Sequence, residues 1–269
     1  MTTALAVSLA LVAGCATAHT PAPQAATGAP GALPSTPLLG PVAAESARYV
    51  ITHGVVGELG EVVLQLTPHG PVGQPTTWEG QGHGFASLFG IGESSTFRSR
   101  FDVGRGVSTT WSVNRNTGSA LILDECQQRT PGEIASHRVH SQKPEDWSTL
   151  HSRAPTTDLL GFLLRLRTRP PTAPEAVMVM DGRALWKVTV KPGTADTVQV
   201  AQQPHAALRY QLAAEPLDWH LAPSKTRHRQ QLTVWLANDR ARTPLALEAN
   251  STLGNVRIEV DESPRVALR

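Results

Sequence analysis

Disulfide chemistry is the first thing this chain does without. Of its two cysteines, Cys15 closes an N-terminal apolar run, and with lipid attached there Cys126 has no partner within the chain. Cys126 follows Leu121-Ile122-Leu123-Asp124-Glu125, with no cationic neighbour nearer in sequence than Arg129, which reads as a half-buried strand-end residue rather than a reactive thiol. Net charge is nearly absent as well. Lys and Arg number 24 against 22 Asp and Glu, a balance of +2 that provides no general field for nucleic acid and no polybasic membrane patch. A long apolar run is missing too. Ala4 to Ala13, broken only by Ser8, is about ten residues, half of the roughly 20 needed to span a bilayer as a helix. No Lys or Arg precedes that run, so either translation starts further upstream or the amino terminus supplies the positive charge that signal peptides carry there.

What is present at the N-terminus is a processing pattern. The run ends in Leu11-Val12-Ala13-Gly14-Cys15, where small residues fit a peptidase site and a thiol follows for acyl attachment. It resembles the lipobox of bacterial lipoproteins. The resemblance implies a signal peptide over 1–14 and a Cys15 that carries diacylglycerol and a further acyl chain such as palmitate. Ala16, in place of Asp, favours sorting to the outer membrane, on its periplasmic face. Residues 15–44 then read as the lipidated cysteine and a Pro/Ala-rich linker. From 16 to 44 there is no charged side chain, and prolines stand at 21, 23, 30, 34, 37 and 41. A coil of about 29 such residues reaches roughly 30 Å.

Residues 45–269 form the third unit, and its pattern is β. Tyr49-Val50-Ile51-Thr52-His53 and Leu59 to Leu66 are runs rich in branched residues around Gly54 and Gly57, which predicts a hairpin. Similar runs fall at Thr96–Val103, Val107–Val113, Ser119–Leu123, Val177–Met180, Leu185–Val190, Thr197–Ala201, Leu208–Ala213, Leu232–Leu236, Leu245–Ala249 and Val256–Val260. Asp181-Gly182, Pro192-Gly193, Asn238-Asp239 and Gly254-Asn255 supply turn chemistry between them. The expected fold is mainly β, a single curved antiparallel sheet or incomplete barrel. Two stretches break the rhythm. Glu125 to Pro155 is polar and punctuated by proline, and reads as a long excursion off the sheet. Asp158 to Arg165 reads as one short helix, capped by Thr157 or Asp158, with Arg165 and Arg167 near its C-terminus and Pro170-Pro171 stopping it. An apolar helix in a β chain covers the open side of a curved sheet. Leucine or phenylalanine at 159, 160, 162, 163 and 164 makes more of its circumference apolar than one-sided packing requires, which leaves room for either core or a ligand.

Tyr49 with Gly54 and Gly57, the segment Thr157-Asp158-Leu159-Leu160 leading to Arg165 and Arg167, and Val234-Trp235-Leu236-Ala237-Asn238-Asp239 followed by Pro244 and Gly254 together resemble the bacterial domain of unknown function 3108. The resemblance covers roughly residues 48 to 261. It implies an exported, mostly β protein of the cell envelope, with no assigned reaction.

Candidate chemistry is sparse. His137-Arg138-Val139-His140 with His151 offers three imidazoles, but on an extended chain residues i and i+3 point to opposite faces, so solvated loop histidines are expected and no metal site is assigned. Gly80-Gln81-Gly82-His83-Gly84 lacks the spacing of a dinucleotide loop and reads as a flexible turn, with no cofactor. Gly92-Glu93-Ser94-Ser95-Thr96 fails the nucleophile-elbow pattern at its last position. Asp239 has the place of a catalytic acid near Trp235, or of a turn carboxylate. Lys225-Thr226-Arg227-His228-Arg229, the densest basic run, suits a phosphate head group or a charged strand edge. Three functions follow. The first is a non-enzymatic lipoprotein, tethered to a membrane, whose curved sheet binds a lipid or another envelope protein. The second is an envelope enzyme using Asp239 or the loop histidines. The third is a purely structural assembly factor.

Overall fold

The computed structural model describes residues 44–262 apart from 72–74, 89–90, 153 and 252–253. The lipobox, Cys15 and most of the linker lie outside the described residues.

Among the described residues, sixteen strands form one sheet around one helix. In chain order they are β1 (Glu45–His53), β2 (Gly57–His69), β3 (Thr77–Leu88), β4 (Ile91–Asp102), β5 (Val107–Asn116), β6 (Leu121–Thr130), β7 (Glu133–His140), β8 (Lys143–His151) and β9 (Thr156–Asp158), then α1 (Leu159–Thr168). After the helix come β10 (Glu175–Asp181), β11 (Ala184–Val190), β12 (Thr194–Val200), β13 (Gln203–Leu217), β14 (Gln230–Ala237), β15 (Pro244–Ser251) and β16 (Gly254–Val260). The spatial order runs from β8 down to β1, across to β16, and on through β15, β14, β13, β11 and β10 to β9, with β12 on β13. Every pairing is antiparallel except β9 on β10. The two strands at the ends of this path, β8 and β9, are neighbours in sequence, so the ends of the sheet come close together. The result is the expected incomplete barrel. No described helix is long and apolar enough to cross a membrane.

Helix α1 starts at Asp158, whose Oδ1 accepts the Gly161 N–H at 3.0 Å, and its last turn carries Arg165 and Arg167. All round, it meets core. Phe162, Leu163 and Leu166 pack with Val179, Trp186, Tyr210 and Val234, while Leu160 and Leu164 pack with Leu66, Trp78 and Phe101. The voids left beside it are about 20 Å³ each, one lined by Tyr49, Leu163 and Val234 and the other by Leu160, Leu164 and Arg167. Core residues therefore cover most of the apolar circumference of the helix.

Several sequence expectations are corrected here. Glu125 to Pro155 is no excursion: it contains the end of β6 and all of β7 and β8, paired antiparallel with one register shift in each ladder. The segment from Gly80 to Gly84 is no turn but the middle of β3. Its glycines answer to packing. A β-carbon on Gly80 would lie 2.1 Å from Leu160 Cδ2, and one on Gly82 2.4 Å from Phe97 Cζ and 2.6 Å from the Val63 carbonyl oxygen. Cys126 lies inside β6 and is 4% exposed; burial pushes its thiol up to about 12. The basic run at 225–229 is a loop between β13 and β14, where Arg227 sits over the Trp186 ring and Arg229 pairs with Glu215.

Candidate functional site

The helix fills the inside of the sheet, and the open concavity lies on the other face of β2 to β8. Alternation along each strand decides which side chains reach it. On β3 and β4, Trp78 and Phe101 point inward and are buried, while Glu79, Gln81, Arg98 and Arg100 point outward. Register then joins them into rows. Gln65, Gln81, Arg98, Ser112, Glu125, His137 and Trp147 are successive cross-strand partners from β2 to β8. A second row runs Thr67, Glu79, Arg100, Thr110, Gln127 and Ala135.

Apart from Gln65, these rows line a trough of about 880 Å³. A second hollow of about 480 Å³ shares Gln81, Arg98, Ser112 and Glu125 with it and extends past His83, Thr96 and Asn114. At the β8 end, His137 and Trp147 stack at 3.9 Å between ring centroids with 14° between planes. Nδ1 of His137 is 3.2 Å from Glu125 Oε2, and Nε2 is 3.2 Å from Glu145 Oε2. Desolvation opposes the imidazolium, yet the hydrogen bonds to the two carboxylates outweigh it and raise the His137 pKa. Elsewhere Gln81 donates to Gln65 at 2.8 Å and Glu79 faces His69 at 3.4 Å. Among the described residues, Arg98, Arg100 and Arg129, all lining the trough, make no ion pair.

Polar groups on the inner face are engaged in holding the ends of the sheet together. Asp158 Oδ1 accepts from Ser99 at 2.8 Å and from Ser108 at 2.5 Å, which ties α1 to β4 and β5. Burial raises the Asp158 pKa, and these hydrogen bonds oppose it. Asp124 receives two bonds from Arg138, at 2.6 and 2.7 Å, and also meets Arg115, which reaches Asp181 on β10 at 2.5 Å. Arg183, in the β10–β11 turn, bonds Asp146 and Ser148 on β8.

The residues singled out from sequence fare differently. Of the three histidines, His137 lines the trough, His140 accepts the Gln142 N–H at 3.1 Å, and His151 lies opposite Glu133. Among the described residues no three His, Cys, Asp or Glu converge as a metal site. Asp239 Oδ1 accepts the Arg242 N–H at 2.8 Å, as a turn carboxylate does. Arg98, Arg100 and Trp147 were not singled out. The available signal was Thr96, Arg98 and Arg100 alternating with Phe97 and Ser99, one polar and one inward face.

The model of the family described as "Protein of unknown function (DUF3108)" matches residues 48–261. No curated protein sequence matches the chain. Among solved structures, a β-barrel-like protein of domain of unknown function DUF1849 from Brucella abortus superposes with a TM-score of 0.52 at 10% identity, over 85% of this chain and 100% of that one, and the two share the fold. A Bacteroides fragilis protein described as exported, with a YmcC-like fold, aligns at TM-score 0.36 and 8% identity over 84% of this chain and 98% of that one. A protein described as a lipoprotein from Parabacteroides distasonis aligns at 0.31 and 4%, over 85% and 99%.

Proposed function

We propose that this chain, which belongs to the DUF3108 family, is a lipid-anchored, non-catalytic binding protein of the bacterial cell envelope whose binding surface is the trough across β2 to β8. One observation carries the reading: the voids at the helix are about 20 Å³, whereas the trough holds about 880 Å³. Ligand sites run to about 300–1,000 Å³, so the trough has the capacity of a site and the interior does not. The lipid expected between sheet and helix gives way to a partner bound on the outer face. Cys15 and the uncharged linker support the anchor, and Ala16 supports the outer membrane, facing the periplasm. The enzyme reading is less supported at two of its named groups, since Asp239 is engaged in a turn and His137 is held between two carboxylates.

The test is occupancy in cells. Thr110→Cys places a thiol in the trough, and Gln231→Cys places one on an exposed position of β14; both are expected to react freely with a maleimide in the purified protein. In cells, Thr110→Cys is expected to label several-fold more slowly than in the purified protein, with Gln231→Cys unchanged. Equal rates at both positions would overturn the proposal.

A further inference from the structure

We infer that the trough binds an acidic glycan, a hydroxyl-rich chain bearing carboxylate or similar oxyanion groups. The inference rests on the reading of the trough as the binding surface and adds the class of ligand. Charge is the first support. Arg98, Arg100 and Arg129 have no acidic partner among the described residues, while Glu125 faces His137 and Glu79 faces His69. An unpaired guanidinium in a concave site suits a planar oxyanion, which it grips with two parallel hydrogen bonds. Two such groups, Arg98 and Arg100, stand on the same face of one strand, about 6.5–7 Å apart along it, and so address a ligand with repeated charge.

The surface between the charges is the second support. It is made of hydroxyls and amides, among them Thr67, Gln81, Thr96, Thr110, Ser112 and Gln127, which both donate and accept. That lining, more polar than apolar although Trp111 and Ala135 also border it, suits a polyol better than an acyl chain. A protein interface has a more apolar centre than this surface, where charged and amide side chains stand in the middle strands. Trp147 is the third support. It is 67% exposed, and stacking on His137 holds its ring at the end of the trough. A fixed indole face of this kind receives the C–H face of a pyranose ring. Membrane lipid fits less well, because the arginines stand among hydroxyls and amides along a trough, and among the described residues no exposed apolar cluster beside them would enter a bilayer.

The experiment uses the full-length protein carrying Cys15→Ser, so that no acyl chain binds it to vesicles. Calorimetric titration compares oligogalacturonate, neutral malto-oligosaccharides of matched length, and vesicles of phosphatidylglycerol. The expected result is binding to oligogalacturonate that weakens with added salt, no binding to the neutral chains, and none to the vesicles. Arg98→Gln combined with Arg100→Gln is expected to weaken it at least about tenfold, as each charged hydrogen bond is worth a factor of that order. Trp147→Ala is expected to weaken it several-fold with the circular dichroism spectrum unchanged. Equal binding of neutral chains, indifference to the arginine substitutions, binding to the vesicles instead, or no binding at all would overturn the inference. If any of these occurs while Thr110→Cys stays protected in cells, the ligand class is wrong and the trough remains the site. Loss of that protection removes both.

Discussion

Replacing Asp158 tests how the two ends of the sheet are held together. Its Oδ1 accepts from the Gly161 N–H, from Ser99 and from Ser108, so one buried atom caps the helix and links it to β4 and β5. Asp158→Ala removes the cap, a loss of about 1 kcal/mol. It also strands hydroxyl donors. Ser108 retains Thr157 at 2.8 Å, and Ser99 retains Ser108 at 3.3 Å, so about one buried group is left without an acceptor, at a cost of about 1–3 kcal/mol. The sum is about 2–4 kcal/mol. With a urea m-value of about 2–3 kcal/mol/M, the midpoint is expected to fall by about 1 M at unchanged slope. Asp158→Asn keeps the accepting oxygen and buries no charge, and is expected to lie within about 1 kcal/mol of the native protein. Midpoints that fall equally for both variants would refute the reasoning, since the hydrogen bonds would then contribute nothing beyond the side-chain volume. The two variants also differ in pH dependence from the native chain. Burial raises the folded pKa of Asp158 above the unfolded value of about 3.9, so the native state holds the proton longer. Stability linked to this group is fully present below the unfolded pKa and is lost as pH rises through the folded one, a slope that Asp158→Asn should lack.

Cys126, with its thiol pushed up to about 12, should resist maleimide at pH 8 in the native protein and react once urea unfolds it; prompt native labelling would contradict its burial. Gly82→Val should lower stability by several kcal/mol through overpacking against Phe97 and the Val63 carbonyl, measured as a fall in melting temperature; an unchanged value would mean that the sheet yields there. Asp124→Ala leaves Arg138 and Arg115 without their shared partner in a buried site, for an expected loss of about 3–5 kcal/mol in urea titration. Cys15→Ser should move the protein from the membrane fraction to the soluble envelope fraction, and unchanged fractionation would sink the anchor.

Strands such as those around Val177, Val234 and Ile258 were legible because short runs of branched and other apolar residues between turn residues are the signal itself. The helix was legible too, from Asp158, its leucines and Pro170-Pro171. Strand β3 was hidden by its own packing. Glycines at 80, 82 and 84 occupy its inner positions to admit Leu160 and Phe97, and so erase the apolar half of the period. Strands β7 and β8 were hidden for a different reason. β8 is an end strand, and Lys143, Pro144, Glu145 and Asp146 are what an exposed edge carries to discourage pairing with other chains, so it looks like a loop in sequence. The trough was the least legible feature. It takes one to four residues from each of seven strands, and only the register brings Gln81 into line with Trp147.

The place of the trough follows from how this barrel is closed. Strands β8 and β9 do not ladder together; the ends are joined by Arg183 with Asp146, by Arg115 between Asp124 and Asp181, and by Asp158 with Ser99 and Ser108. Side-chain bonds can bridge a gap that backbone pairing would have to eliminate, so the inner face accepts a helix as wide as α1 and is filled by it. Binding inside would require α1 to leave, exposing Leu160, Leu164 and Leu166, each 4% exposed or less, at a cost of about 1.5–3 kcal/mol per side chain. Binding outside requires no such opening. On the outer face of β2 to β8 the hydroxyls, amides and guanidinium groups already stand in water, and a ligand there exchanges solvent for partners without disturbing the core that shapes the surface.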